Sequence, residues 1–310
     1  MSDNREDFNA LVDMAMANPG LSAMRPVVEK ELLHCEIFQA LDAEGLLKGL
    51  VFQGGTSLRL CRGSDRFSED LDFAGGKDFS ADSMQKITTC MEKRIGQRFG
   101  LKVAVNHKPS GVGEDGIKNI RVSKWWISIE TSPENPAMPQ QRIKLEVANI
   151  PAHTRELVPL RANYELLSAM PTVLVNTETL DEIMADKVLA FPTSLLDNQG
   201  QAVGLDSSKI RHRDIWDLAW MSTRGAQLVP ELVIAKIQDY DVMNYPHLLA
   251  AAIEQIPQIV KSRAFKAQMT RFIDSATVTK TLATDGYAGY LASSVAGLFM
   301  QMQKALSAKP

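Results

Sequence analysis

"GGTSLRLCRGSDRFSEDLDF", residues 54–73, decides the fold. Gly54-Gly55-Thr56-Ser57 follows the short apolar run Leu50-Val51-Phe52. It opens a short basic helix, Thr56 to Arg62, whose expected N-cap is Thr56 or Ser57. The segment closes on Ser68 to Phe73, an apolar strand carrying Asp70 and Asp72. Side chains alternate along a strand, so the two acids share one face. At an effective dielectric near 20, two carboxylates about 4 Å apart repel by roughly 4 kcal/mol. Such a pair implies a cation between them. Asp70 and Asp72 suit Mg²⁺, or Mn²⁺, a hard ion that prefers carboxylate and phosphate oxygens.

A strand, a Gly-rich turn and a helix N-terminus together make an anion site, because backbone N–H groups point outward and the helix dipole favours phosphate. Gly55, Thr56 and Ser57 line that turn, and Ser57 adds a hydroxyl donor. Arg62 and Arg66 lie between turn and acids and offer charge to neutralise phosphate. A phosphate cradle beside two carboxylates is the equipment of phosphoryl or nucleotidyl transfer.

Three further segments carry candidates. In Ile143-Lys144-Leu145-Glu146-Val147 the lysine and the glutamate share one strand face. Glu146 is a candidate third carboxylate or hydroxyl-activating base, and Lys144 a candidate triphosphate ligand; a plain ion pair on an open sheet face is the alternative. Asp181-Glu182-Ile183-Met184-Ala185-Asp186-Lys187 places acids at a helix start, with Lys187 either reaching inward or solvated. Arg211-His212-Arg213-Asp214-Ile215-Trp216-Asp217 puts Asp214 and Asp217 on one helix face, with Arg211 three residues before Asp214, as a ligand set or an ion-pair ladder. His212 reads as solvated, Cys61 as a small buried residue, and Trp125-Trp126 as core and sheet surface rather than a base-stacking platform. The other histidines have no zinc spacing. No G-x-x-x-x-G-K-[ST] or G-x-S-x-G occurs, which excludes P-loop and lipase-type chemistry.

Composition frames these motifs. The 310 residues are 45% hydrophobic and 23% charged with a formal net charge of −3, an ordinary globular mix and no polycation. Nucleic acid would therefore have to be met by a local basic patch. Three cysteines, Cys35, Cys61 and Cys90, exclude a disulfide framework and fit a reducing compartment. The polar start MSDNREDFN is unlike a signal peptide, and no apolar run reaches membrane-spanning length. A cytoplasmic protein without membrane contact is expected.

The organisation expected is α+β: a mixed sheet with flanking helices over residues 1–177, then a helical part over 178–310. Val27 to Leu47 reads as an amphipathic helix and Ser80 to Phe99 as another, ended by Gly100. Lys102–His107, 119–131, 142–150 and 172–176 read as strands, the middle two as a hairpin with a long loop. Helices are expected over 179–191, 211–222, 229–238, 245–256, 258–275 and 288–307.

Read together, the four motifs resemble those of the AbiEii/AbiGii toxin nucleotidyltransferases, a branch of the DNA polymerase β-like superfamily. That superfamily places a Gly-Ser turn about a dozen residues before D-x-D. Here Thr56-Ser57 stands in its place, with twelve residues between Ser57 and Asp70. "IKLEV", "LDEIMADKVLAF" and "RHRDIWDLAW" are similar to the second, third and fourth motifs in order, and the likeness runs over roughly residues 27–222. The resemblance implies a polymerase β-like fold and an NTP co-substrate. Ser57 would contact its phosphates, Asp70 and Asp72 bind Mg²⁺, and Lys144 hold the triphosphate. Lys187 would complete the site and Asp214 support it, with either Glu146 or Asp181 as third carboxylate. It also implies a toxin–antitoxin or phage-defence toxin that nucleotidylates the 3′ end of tRNA, with an antitoxin from a neighbouring gene. A small-molecule or protein hydroxyl as acceptor, and a non-catalytic NTP-binding regulator, are the competing functions.

Overall fold

The computed structural model describes residues 5–109, 120–135, 140–197 and 200–308. The chain divides into two compact units, 1–177 and 178–310.

The first unit is built on a mixed seven-stranded sheet. Its strands are β1 (Val51–Gln53), β2 (Leu71–Ala74), β3 (Lys102–Pro109), β4 (Val122–Glu130), β5 (Gln141–Ala148), β6 (Glu156–Pro159) and β7 (Leu174–Thr177), in the order β3-β4-β5-β2-β1-β7-β6. Only the β2/β5 and β1/β7 pairs are parallel. The remaining pairs are antiparallel. Strands β4 and β5 alternate in burial over most of their length. Phe52, Phe73, Leu145, Val147, Trp125 and Ile127 are buried on one side, while Asp72, Lys144, Glu146 and Trp126 stand half-exposed at the intervening positions.

Helix α1 (Phe8–Ala15) leads into α2 (Arg25–Ala43), which covers the apolar side with Leu33, Ile37, Phe38 and Leu41. The Phe38 ring meets Phe52 edge-on at 4.9 Å, and Phe52 lies 5.0 Å from Phe73. The helix also carries buried acids, each matched by an arginine from outside its apolar stripe. Glu31 takes both Nε and Nη2 of Arg59, at 2.8 and 3.1 Å, and so ties α2 to α3 (Gly54–Arg62). Paired this way, buried charge is tolerated; unpaired, it would be strongly unfavourable.

Two expected elements differ, and one strand was not expected. The 80–99 helix is interrupted: a 3₁₀ turn over Ala81–Met84 precedes α4 (Ile87–Met91), a π-helical turn over Glu92–Gly96 and α5 (Gln97–Phe99). Along this stretch Arg94 and Arg98 both reach Glu36, at 2.6 and 2.5 Å, while Ile95 and Phe99 are buried. The strand β6 escapes the sequence pattern because it is a mostly exposed edge strand ending in proline. The expected 258–275 helix divides, because Ser262 and Asp274 each cap a new start and accept the N–H groups of Phe265 and Thr277.

The second unit is helical: α6 (Leu180–Thr193), α7 (His212–Thr223), α8 (Pro230–Asp239), α9 (Tyr245–Ile259), α10 (Arg263–Phe272), α11 (Ser275–Lys280) and α12 (Tyr287–Ser307). Its core holds one fully buried cation. Lys236 Nζ lies 2.8 Å from Glu178, 2.8 Å from Glu182 and 3.2 Å from Asp186, acids spaced four residues apart along the start of α6. Burial opposes the lysine's charge, but the surrounding acids outweigh it and hold its pKa far above the usual range. Burial and the neighbouring Asp186 push the Glu178 carboxyl well up.

Two stability outcomes follow. Gly75 runs so close to β5 that an added Cβ would lie 2.6 Å from Phe79 Cγ and 2.7 Å from Val147 Cγ1. Gly75→Ala is expected to cost about 1–3 kcal/mol through overpacking, read in urea unfolding. Lys236→Met leaves three acids without their shared cation and is expected to cost about 3–5 kcal/mol by the same measurement.

Candidate active site

The helix α3 begins at Gly54, two residues earlier than the sequence suggests. Gln53 occupies the N-cap position without a side-chain cap bond, so the expected capping role of Thr56 or Ser57 is not what is found. Both lie inside the first turn, and their hydroxyls are used locally. Ser57 Oγ donates to the Gly54 carbonyl at 2.8 Å, and Thr56 Oγ1 donates to the carbonyl of Asp70. The second bond ties the turn directly to the acid-bearing segment. The first N–H groups of any α-helix lack intrahelical acceptors, so this turn presents donors to an anion.

Two glycines make the close approach possible. Gly54 has φ +77°, and a Cβ there would lie 3.1 Å from Asp72 Oδ2. The Asp72 carboxylate therefore rests against the turn. A Cβ on Gly55 would lie 2.2 Å from Arg66 Nη2. Arg66 is buried, with Nη1 donating to the Phe67 carbonyl at 2.8 Å, so its guanidinium presses on the turn from inside the fold. Arg62 instead meets Glu156 at 2.5 Å and Thr177 Oγ1 at 2.8 Å, at the β6/β7 side of the sheet.

Sheet register brings the acids into line. Asp72 pairs with Gln53 of β1 on one side and with Glu146 of β5 on the other. Glu146 pairs in turn with Lys124 of β4. Asp70 lies just before β2, one residue outside the strand as found. Lys144 occupies the space between the acids: its Nζ is 2.8 Å from Glu146 Oε2 and 3.4 Å from Asp70 Oδ2. Lys124 Nζ approaches Glu146 Oε1 at 3.5 Å. Burial disfavours the Lys144 charge, yet the bond to Glu146 and the fields of Asp70, Glu146 and Asp72 win and raise its pKa. The face is thus an alternation of acid and base, with the acids drawing the lysines in.

The donor set suits a hard divalent ion shared with a ligand. Among the described residues no group of three or more His, Cys, Asp or Glu could hold a metal by itself. Mg²⁺ typically takes one or two carboxylates and completes its shell with phosphate oxygens and water. Asp70 and Asp72, next to an anion-binding turn, meet that requirement.

The remaining candidates lie in the helical unit. Lys187 is buried, not solvated, and bridges Asp214 Oδ1 at 2.7 Å and Asp217 Oδ2 at 2.8 Å. Arg211 Nε adds a 2.6 Å contact to Asp214 Oδ2. Burial alone would raise the Asp214 pKa, but Arg211 and Lys187 hold it well below the usual carboxylate range. Asp181 Oδ1 accepts the backbone N–H of Gln227 at 2.7 Å. His212, expected to be solvated, is buried with its ring 6.2 Å from Phe265. Cys61 is buried, which pushes its thiol up to about 12 and leaves it inert. The signal for the Lys236 cluster is the four-residue spacing of Glu178, Glu182 and Asp186. The signal for Lys124 is the strand phase that exposes Trp126.

The mixed sheet thus sets a glycine turn against the Asp72 carboxylate, with Asp70 and Glu146 sharing Lys144 beside it. The sequence profile of the family described as "Nucleotidyl transferase AbiEii toxin, Type IV TA system" matches residues 36–288. The chain belongs to this family of nucleotidyltransferase toxins of type IV toxin–antitoxin systems. No curated protein sequence matches it. Its fold is similar to that of MenT4, a nucleotidyltransferase toxin from Mycobacterium tuberculosis, with a TM-score of 0.53 at 17% identity over 95% of this chain and 92% of that one. JHP933 from Helicobacter pylori is similar at a TM-score of 0.48 and 15% identity, over 91% and 93% of the two chains.

The Asp214 environment has a pH signature. A carboxyl whose folded pKa is lowered stabilises the fold above its ordinary pKa and loses that contribution as pH falls. Asp214→Asn is therefore expected to lower the thermal midpoint at pH 7, with the gap to the parent narrowing as pH drops below the ordinary value of 3.8. Paired melting curves across that range check it.

Proposed function

We propose that this protein transfers a nucleoside monophosphate from an NTP to an RNA hydroxyl, with the 3′ end of tRNA as acceptor, and so blocks translation. The observation that carries the reading is the contact of the Asp72 carboxylate with the Gly54 turn while Lys144 is shared between Asp70 and Glu146. The NTP phosphates are received by the N–H groups at residues 54–57, with the Arg66 guanidinium behind them. Asp70 and Asp72 would hold Mg²⁺, which when bound would supply charge neutralisation at the triphosphate. Lys144, now held by acids, turns to the incoming phosphates, which frees Glu146 to take a proton. The acceptor oxygen bonds to the α-phosphorus, the bond from that phosphorus to the pyrophosphate oxygen breaks, and the hydroxyl proton passes to Glu146. Positioning and charge neutralisation do most of the catalytic work in this chemistry.

A toxin of this family implies an antitoxin, and we expect one encoded beside it. The NTP and tRNA pools place the reaction in the cytoplasm.

The test is label transfer from each of the four NTPs to purified tRNA, with and without Mg²⁺. Label is expected in tRNA only with the ion. Asp70→Ala and Asp72→Ala are each expected to reduce transfer about 100-fold or more at unchanged fold, since each removes charge stabilisation at the reacting phosphate. Wild-type transfer by Asp70→Ala would overturn the assignment.

A further inference from the structure

The same sheet face continues past the acids onto β4 and β3, and the residues it carries there have no part in the mechanism above. In register, Lys144 pairs with Trp126, and Trp126 with Asn106. One row towards β5's C-terminus, Glu146 pairs with Lys124 and Lys124 with Lys108. Lys108, Asn106 and Arg142 are exposed, and Trp126 and Lys124 are half-exposed. The Arg142 guanidinium lies 4.2 Å from the centre of the Trp126 ring. Trp125, by contrast, faces the other side, where it is buried and stacks on His107 at 4.7 Å. The face therefore holds an aromatic ring under a planar cation, flanked by two lysines. In a chain whose net charge is −3, this is a local basic and aromatic surface of the kind that binds single-stranded nucleic acid.

We infer that Trp126 and Arg142 form a stacking platform for the terminal base of the RNA acceptor, with Lys124 and Lys108 receiving its phosphates. The inference rests on the RNA-acceptor reading and adds to it the residues that hold the RNA. Sheet order selects the acceptor over the NTP as occupant. The phosphate turn follows β1, the acids sit on and beside β2, Lys144 and Glu146 on β5, and Trp126 on β4. Adjacent strands are about 4.8 Å apart, which puts the platform roughly 10 Å from the acid strand, on the side away from the turn. Displacement at phosphorus runs in line, so the attacking hydroxyl must enter opposite the departing pyrophosphate. Pyrophosphate leaves on the turn side. The hydroxyl then enters from the β5/β4 side, past Glu146, where the platform lies. Arginine and aromatic planes stack on any base, so the contact fits a shared terminal sequence and requires no base-specific hydrogen bond.

The experiment is steady-state label transfer with RNA and NTP varied separately. Trp126→Ala is expected to raise KM for RNA about 10- to 100-fold, the range that loss of one stacked base carries, with KM for NTP within about twofold. Trp126→Phe keeps a ring on the face and is expected to recover most of the loss. A rise in KM for NTP would place the NTP base on Trp126 and overturn the inference, as would two unchanged KM values. If the parent protein labels no RNA, the functional reading fails on its own. Binding of a fluorescent single-stranded oligoribonucleotide then decides the platform: weaker binding by Trp126→Ala supports it, equal binding overturns it.

Discussion

Crowding of like charge on one sheet face is the constraint around which this molecule is arranged. Asp70, Asp72 and Glu146 are brought together by the parallel pairing of β2 with β5, which sets Asp72 directly beside Glu146. Carboxylates that share one sheet face repel one another. The cost is offset here by Lys144, which touches two of the acids, and by Lys124, which approaches Glu146 from the next strand. A lysine is a compact charge on a flexible stem, well suited to leaving one partner for another. The site is thus charged and paired, and in the proposed reaction those pairings are exchanged for a ligand's phosphates.

The scaffold holds this arrangement rigid from below. The helix α3, whose first turn faces the acids, is anchored through Arg59 to the buried Glu31 of α2, and its loop carbonyl at Ser64 is held by the same guanidinium at 2.9 Å. Arg66 fills the space that a side chain on Gly55 would need. Glycine at 54 and 55 is required for two different reasons: a left-handed backbone at the first, and a guanidinium pressed against the chain at the second. The helical unit solves its own charge problem in a parallel way, with Lys187 shared by Asp214 and Asp217, and Lys236 shared by three acids.

Much of this was legible in the residues. Strand alternation put Lys144 and Glu146 on one face, and the glycine turn that precedes the acids by twelve residues does lie against Asp72. What was lost was lost for physical reasons. The early start of α3 depends on Gly54 adopting a positive φ, which sequence does not specify. The π turn at Glu92–Gly96 interrupts a helix whose residue pattern reads as continuous. Arg62 and Arg66 looked alike as phosphate neighbours, yet one pairs with Glu156 and the other is buried behind the turn. Burial of His212 and Lys187 is a tertiary outcome that local periodicity leaves open. Trp126 and Lys124 joined the acid face only when the β4/β5 register fixed which residues lie opposite.

A structure with a non-hydrolysable NTP and Mg²⁺ bound tests the central claim most directly. The ion is expected at about 2.0–2.1 Å from oxygens of both Asp70 and Asp72, the phosphates on the N–H groups of residues 54–57, and Lys144 turned from Glu146 to the triphosphate. An ion bound elsewhere, or phosphates seated away from that turn, would contradict it.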